Sequence, residues 1–136
     1  MIQQIVLRQI DRPVRIIDSN DLDWFCSRFG IDNGRDLDNI ATRVILSLLE
    51  RLPENEGVPV EEIATDLEIS SPRVNYHIRN LVETGLVYRH KQRIYIRGSS
   101  LRSMVREIRK DTIRILDDLE EVAGELDEAF GINEEK

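Results

Sequence analysis

The sequence is short of cysteine and histidine and has no long apolar run. Cys26 is the one cysteine among 136 residues, so no internal disulfide can form, and the chain reads as one suited to a reducing cytoplasm. No apolar stretch approaches the roughly 18 residues that would span a bilayer. The first residues, MIQQIVLRQIDR, lack the small-residue cleavage site of a signal peptide and meet charge at Arg8, so they read as mature protein. A nucleotide-binding glycine loop, an HExxH helix and a GxSxG elbow are missing, and no catalytic constellation is found. The two histidines, His77 and His90, have no cysteine or clustered acidic partners at ligand spacing, so neither a metal nor another cofactor is expected.

Hydrophobic residues make up 40% and charged residues 33%, too apolar for a disordered chain and too charged for a membrane protein. A chain of this length makes one domain with an appendage and buries roughly two-thirds of its unfolded surface. Net charge is −7, which on average argues against nucleic acid. The distribution says otherwise. Six basic residues and one acid lie between Ser71 and Arg97, whereas nine acids and one lysine lie between Asp117 and Lys136. A basic middle precedes an acidic tail.

Residues 2–18 are rich in β-branched side chains around an Asp11-Arg12-Pro13 turn and read as one or two short strands. A short helix is expected over 21–29, closed by Gly30, with a loop over 31–36. Cys26, Trp24, Phe25 and Phe29 read as core residues rather than a redox sensor or a ligand pocket. Apolar residues at three- and four-residue spacing predict a helix over 37–52, with Asp36 as N-cap and Pro53 as its end. Residues 53–59 read as a polar loop. A helix follows over 60–68, with Glu61 and Glu62 in its first turn. The next runs over 71–84, with Ser71 as N-cap and Pro72 at its first position. Residues 86–97 read as two strands around His90-Lys91-Gln92.

Three helices, a three-residue turn before the third, and a basic hairpin make a helix-turn-helix with a β-wing. Within VPVEEIATDLEISSPRVNYHIRNLVETGLVYRHKQRIYI, residues 58–96, the residues Ile63-Ala64, Leu67, Ile69-Ser70, Val74, His77-Ile78, Leu81 and Gly85-Leu86-Val87 carry a pattern. It resembles the winged-helix transcriptional regulators, especially the ArsR type and its archaeal relatives. The resemblance spans about 60 residues with helix 37–52 included. It implies a mainly α fold with a small wing and a double-stranded DNA partner. The cysteine pairs of that family's metal sensors are missing. Together with 16 arginines against 3 lysines, the resemblance points to a prokaryotic, in particular archaeal, source.

On a helical wheel, Val74, Ile78 and Leu81 face inward. Arg73, Tyr76, Arg79, Asn80 and Glu83 then face outward, with Asn75 and His77 at the flanks. Arg73 is placed to read guanine and Asn75 or Asn80 to read adenine. Ser70, Ser71 and the helix N-terminus suit a phosphate. Arg89, His90, Lys91 and Arg93 of the wing suit the backbone or the minor groove. The competing reading is a winged-helix subunit that docks proteins within a transcription or chromosome-associated assembly.

From Ser100 to about Phe130 one long helix is expected, roughly 45 Å long. Leu101, Val105, Ile108, Thr112, Ile115, Leu119, Val122, Leu126 and Ala129 follow a heptad ladder, as in a coiled-coil seam, widened on one side by Leu116, Ala123 and Phe130. The ladder predicts a homodimer. Antiparallel helices would set the basic half of one beside the acidic half of the other. The expected organisation is an N-terminal extension (1–35), a winged helix-turn-helix (36–98), a dimerisation helix (99–131) and an acidic tail (132–136). No membrane partner is expected.

Overall fold

The computed structural model describes residues 6–9, 19–30, 39–54 and 56–133. The chain runs α1 (Ser19–Ser27), α2 (Ile40–Glu50), a 3-10 turn (Leu52–Glu54), β1 (Val58–Pro59), α3 (Val60–Leu67), α4 (Ser71–Glu83), β2 (Val87–His90), β3 (Arg93–Ile96) and α5 (Leu101–Ala129). It is a mainly helical fold with a small antiparallel sheet and a long C-terminal helix.

Helices α2, α3 and α4 close around one core. Val44, Ile63, Val74, Ile78 and Leu81 are completely buried, and each such side chain stabilises the fold by roughly 1.5–3 kcal/mol. Ile94 and Ile96 of the sheet, Met104 and Ile108 of α5, and Cys26 of α1 complete the cluster. Phe25 and Phe29 pack against it, half-buried, and meet edge to face at 5.3 Å.

Several boundaries differ from the sequence reading. Helix α2 begins at Ile40, not 37, because Asn39 adopts a left-handed conformation (φ 53°) that breaks the helix on its N-terminal side. Asn39 thus holds the N-cap position assigned to Asp36. The helix ends at Glu50, and Pro53 falls in the 3-10 turn beyond it. Helix α1 starts at Ser19, two residues early, and the chain leaves it through Gly30 at φ 72°. Residues 6–9 form no strand. They lie along the end of α1, where the Arg8 N–H donates to the Arg28 carbonyl at 2.8 Å. The remainder of the expected hairpin at 2–18, the loop at 31–36 with Asp36 and Leu37, and the last acidic residues (134–136) lie outside the described residues.

The polar loop expected at 53–59 also contains a strand. Val58 and Pro59 pair with Ile94 and Arg93, giving the sheet order β1-β3-β2. Pro59, which has no N–H to donate, sits on the edge strand, where none is required. Gly57, at φ 74°, precedes it beneath the ring of Tyr95, and a Cβ there would lie 2.5 Å from the ring. Tyr95 in turn stacks on Tyr88 across the hairpin at 5.1 Å.

A polar cluster joins α2 to α3. Asp66 accepts from the Ser47 hydroxyl at 2.8 Å and from Arg51 at 2.8 and 3.0 Å, while Arg51 also reaches Glu62 at 2.7 Å. Arg43 donates to the Leu67 carbonyl at 2.8 Å. The Ser47 hydrogen bond, then the Arg51 guanidinium, hold the Asp66 carboxyl below its ordinary value of 3.8. Its contribution is therefore complete above that value and is lost as pH falls through the lower, folded-state value. Water reaches the cluster, so Asp66→Asn is expected to cost no more than about 1 kcal/mol at pH 7. Urea melts of both proteins should show the difference narrowing below about pH 4. A gap that stays constant down to pH 2 would mean that Asp66 acts through packing rather than charge.

Candidate nucleic-acid interface

The direction of α4 relative to α3 is set by the three residues that connect them. Glu68 caps α3 in a left-handed conformation (φ 58°), and Ile69 and Ser70 complete the turn. The N-cap is Ser70, not Ser71: its Oγ accepts from the Arg73 N–H at 3.4 Å. Pro72 consequently sits second in the helix. No intrahelical bond is lost there, because no N–H of the first turn has an intrahelical acceptor. A hydroxyl that accepts one bond retains its own hydrogen, so Ser70 can cap α4 and still donate to a phosphate. Ser71 is half-buried at the first position.

With Val74, Ile78 and Leu81 inside, Arg73, Tyr76, Arg79, Asn80 and Glu83 are all exposed, and Asn75 and His77 are half-buried at the edges. This is the distribution the helical wheel gives. The Tyr76 and His77 rings meet edge to face at 5.1 Å.

The wing lies beside this helix. Its strands pair in register from Val87↔Ile96 to His90↔Arg93. Lys91 and Gln92 turn the corner at φ 51° and 66°, the two positive values of a tight hairpin turn that suits the twist of its strands. The turn is thus Lys91-Gln92, and His90 belongs to β2. Arg89, His90, Lys91 and Arg93 are exposed. Two are also engaged within the domain. Arg89 donates to Asn75 Oδ1 at 3.0 Å, fixing the wing against α4. Arg93 donates to the carbonyls of Glu56 and Gly57 at 3.3 and 3.2 Å, fixing β1 to the wing. Neither bond is legible from local sequence, because both join segments far apart in the chain.

Between α4, the start of α3 and the wing lies a cleft of about 400 Å³, lined among others by Asn75, Arg89, Lys91, Gln92 and Arg93, with Glu61 its one acid among the described residues. Arg97 is not on this face. It pairs with Asp111 of α5 at 2.6 Å, and its Nη1 is buried with no hydrogen-bond partner. Of the six basic residues between 71 and 97, Arg97 therefore ties the wing to the long helix instead of facing outward. Asp111 also lies 3.5 Å from Arg114.

Among the described residues no three His, Cys, Asp or Glu side chains group as metal ligands would, and no helix is long and apolar enough to cross a membrane. None of the curated proteins and none of the solved structures matches the chain. Residues 38–88 match the protein family described as winged helix-turn-helix DNA-binding. That stretch begins just before α2 and ends within β2, and β3 completes the wing directly after it. From α2 through the wing, the chain therefore has a winged helix-turn-helix fold and is similar over that stretch to a DNA-binding family.

Proposed function

We propose that the protein is a sequence-specific transcriptional regulator that binds double-stranded DNA as a homodimer. Helix α4 enters the major groove through Arg73, Asn75, Tyr76, His77, Arg79 and Asn80. The wing lies on the backbone or in the adjacent minor groove through Arg89, His90, Lys91 and Arg93, and Ser70 with Ser71 meets a phosphate. The observation that carries this reading is the Arg89–Asn75 hydrogen bond of 3.0 Å, which sets the basic wing and the exposed face of α4 side by side. The ArsR-like pattern over 58–96 supports a prokaryotic regulator of that type. The heptad ladder from Leu101 to Leu126 supplies the dimer seam through Ile115, Leu119, Val122 and Leu126, which are exposed; Leu101 and Ile108, with Val105 half-buried between them, face the domain's own core instead.

A two-fold dimer presents two copies of α4 to half-sites about 34–36 Å apart, or a multiple of that. Selection of bound fragments from fragmented genomic DNA tests both parts. Enriched fragments are expected to share an inverted repeat whose half-sites lie one or two helical turns apart. No enrichment over input at about 0.1 M salt, where electrostatic binding is still strong, would refute the proposal.

A further inference from the structure

We propose that the cleft between α1 and α5 is the seat for the acidic C-terminal end of α5 from a second copy of the chain, the two long helices running antiparallel. This seat presupposes the homodimer proposed above and adds what fills the cleft and in which direction.

The cleft has a volume of about 570 Å³ and is walled by Trp24, Phe25, Phe29, Ile108 and Ile113. Arg8, Arg28 and Arg109 also line it, and among the described residues no acid does. The Arg28 guanidinium lies 4.8 Å from the Trp24 ring centre. A neighbouring hollow along α5 adds Arg102 and Arg106. The site is thus an apolar trough bordered by arginines.

The rest of α5 has the opposite character. Every residue from Ile113 to Asn133 is exposed, including Leu116 at 56%, Leu119 at 60% and Phe130 at 76%. Seven acids and no base lie between Asp117 and Glu128. A contiguous apolar row of this length marks a contact surface. It continues directly from the cleft, since Ile113 belongs to both.

The chain cannot fill its own cleft with this row. Helix α5 is unbroken from Leu101 to Ala129, so Phe130 lies about 25 Å along the axis from Ile113. A parallel partner would set acidic half against acidic half. An antiparallel one sets Glu121 beside Arg114, Glu125 beside Lys110, and Asp127 and Glu128 beside Arg109 and Arg106. A two-fold axis near residues 117–118 then faces Leu116 with Leu119 and Ile113 with Val122 of the second copy. The same axis carries the second copy's Phe130 to Val105, at the mouth of the cleft.

Cysteine pairs test the direction. In a Cys26→Ala chain, Arg109→Cys and Leu126→Cys lie 17 residues or about 25 Å apart on one helix, far beyond the roughly 7 Å Cα reach of a disulfide. Any bond between them therefore joins two chains. On oxidation by copper–phenanthroline the double variant is expected to become a covalent dimer while each single variant stays monomeric on a denaturing gel. Efficient linking of the single variants would mean parallel helices and overturn the proposal. Trp24, the one tryptophan, reports the cleft directly. Phe130→Glu is expected to shift its emission to longer wavelength with helicity unchanged. A wild-type chain that sediments as a monomer at 0.1 mM would remove the homodimer itself. A dimer whose Trp24 emission ignores Phe130→Glu, and whose double variant does not link, would remove only the seat.

Discussion

Replacing Arg73 and Arg79 together by alanine is expected to lower affinity for a selected duplex by about 100-fold at constant salt. The figure assumes two contacts to base edges or phosphates, each worth roughly 1–3 kcal/mol, at tenfold per 1.4 kcal/mol. Both side chains are exposed on α4, so their loss opens no cavity. The Ser70 cap uses the backbone N–H of Arg73, which alanine retains, so the helix keeps its first turn. Thermal unfolding should therefore shift by no more than a degree or two while binding collapses. Lys91→Ala at the tip of the wing provides the contrast. A backbone contact is expected to reduce the salt slope by about one and to weaken binding uniformly across sequences. Anisotropy titrations against matched and mismatched duplexes separate the two. Equal losses on every duplex for the arginine pair would show that α4 supplies charge but no reading of bases.

The helix-turn-helix was legible because its signals are local. Spacing alone turned Val74, Ile78 and Leu81 inward, and the outward set followed from helical geometry. Serine and proline placed the start of α4, and its end fell within a residue; the apolar ladder from Leu101 to Ala129 did the same for α5. Signals that depend on distant partners were not legible. Val58 and Pro59 form a strand only because β3 is there to pair with them, and two residues between Gly57 and α3 show no alternation. The left-handed Asn39 makes α2 begin late, although the apolar spacing of the sequence continues back to Leu37. Arg93 and Arg97 look like equal members of a basic wing in the sequence. In the fold Arg93 holds β1 and Arg97 holds α5.

The heptad ladder of α5 illustrates the same division. It is continuous in the sequence but divided in the structure. Its early positions have partners in the body: Ile108 is buried, and Leu101 packs on the core. From Ile115 onward the ladder is in solvent. The Arg97–Asp111 pair stands where the two parts meet, one turn before the exposed row begins. The ion pair thereby adds a largely buried polar tie to the apolar contact that Ile94 and Ile96 of the wing make with the start of α5.

Leu119→Glu is expected to produce a monomer of about 15.8 kDa and, with it, a loss of 10²- to 10⁴-fold in affinity for DNA carrying two half-sites. The first part follows from position. Leu119 is 60% exposed in the single chain, and glutamate forms helix nearly as well as leucine, so the fold of one chain has little to lose. In the proposed seam Leu119 faces Leu116 of the second copy near the two-fold axis. A carboxylate there would be buried against apolar surface and would add to the repulsion from Asp117, Asp118, Glu120 and Glu121. The second part follows from linkage of the two binding events. When one half-site is occupied, the tethered second α4 binds as an intramolecular event, and a monomer forfeits that advantage. Affinity for a single half-site should be unchanged, because α4 and the wing lie on another part of the domain. Sedimentation and titrations with one-site and two-site duplexes give three independent readings. A Leu119→Glu protein that remains dimeric would place the seam elsewhere. A monomeric variant that binds the two-site duplex as tightly as the wild type would show that one chain suffices for recognition, and the paired half-sites would lose their physical basis.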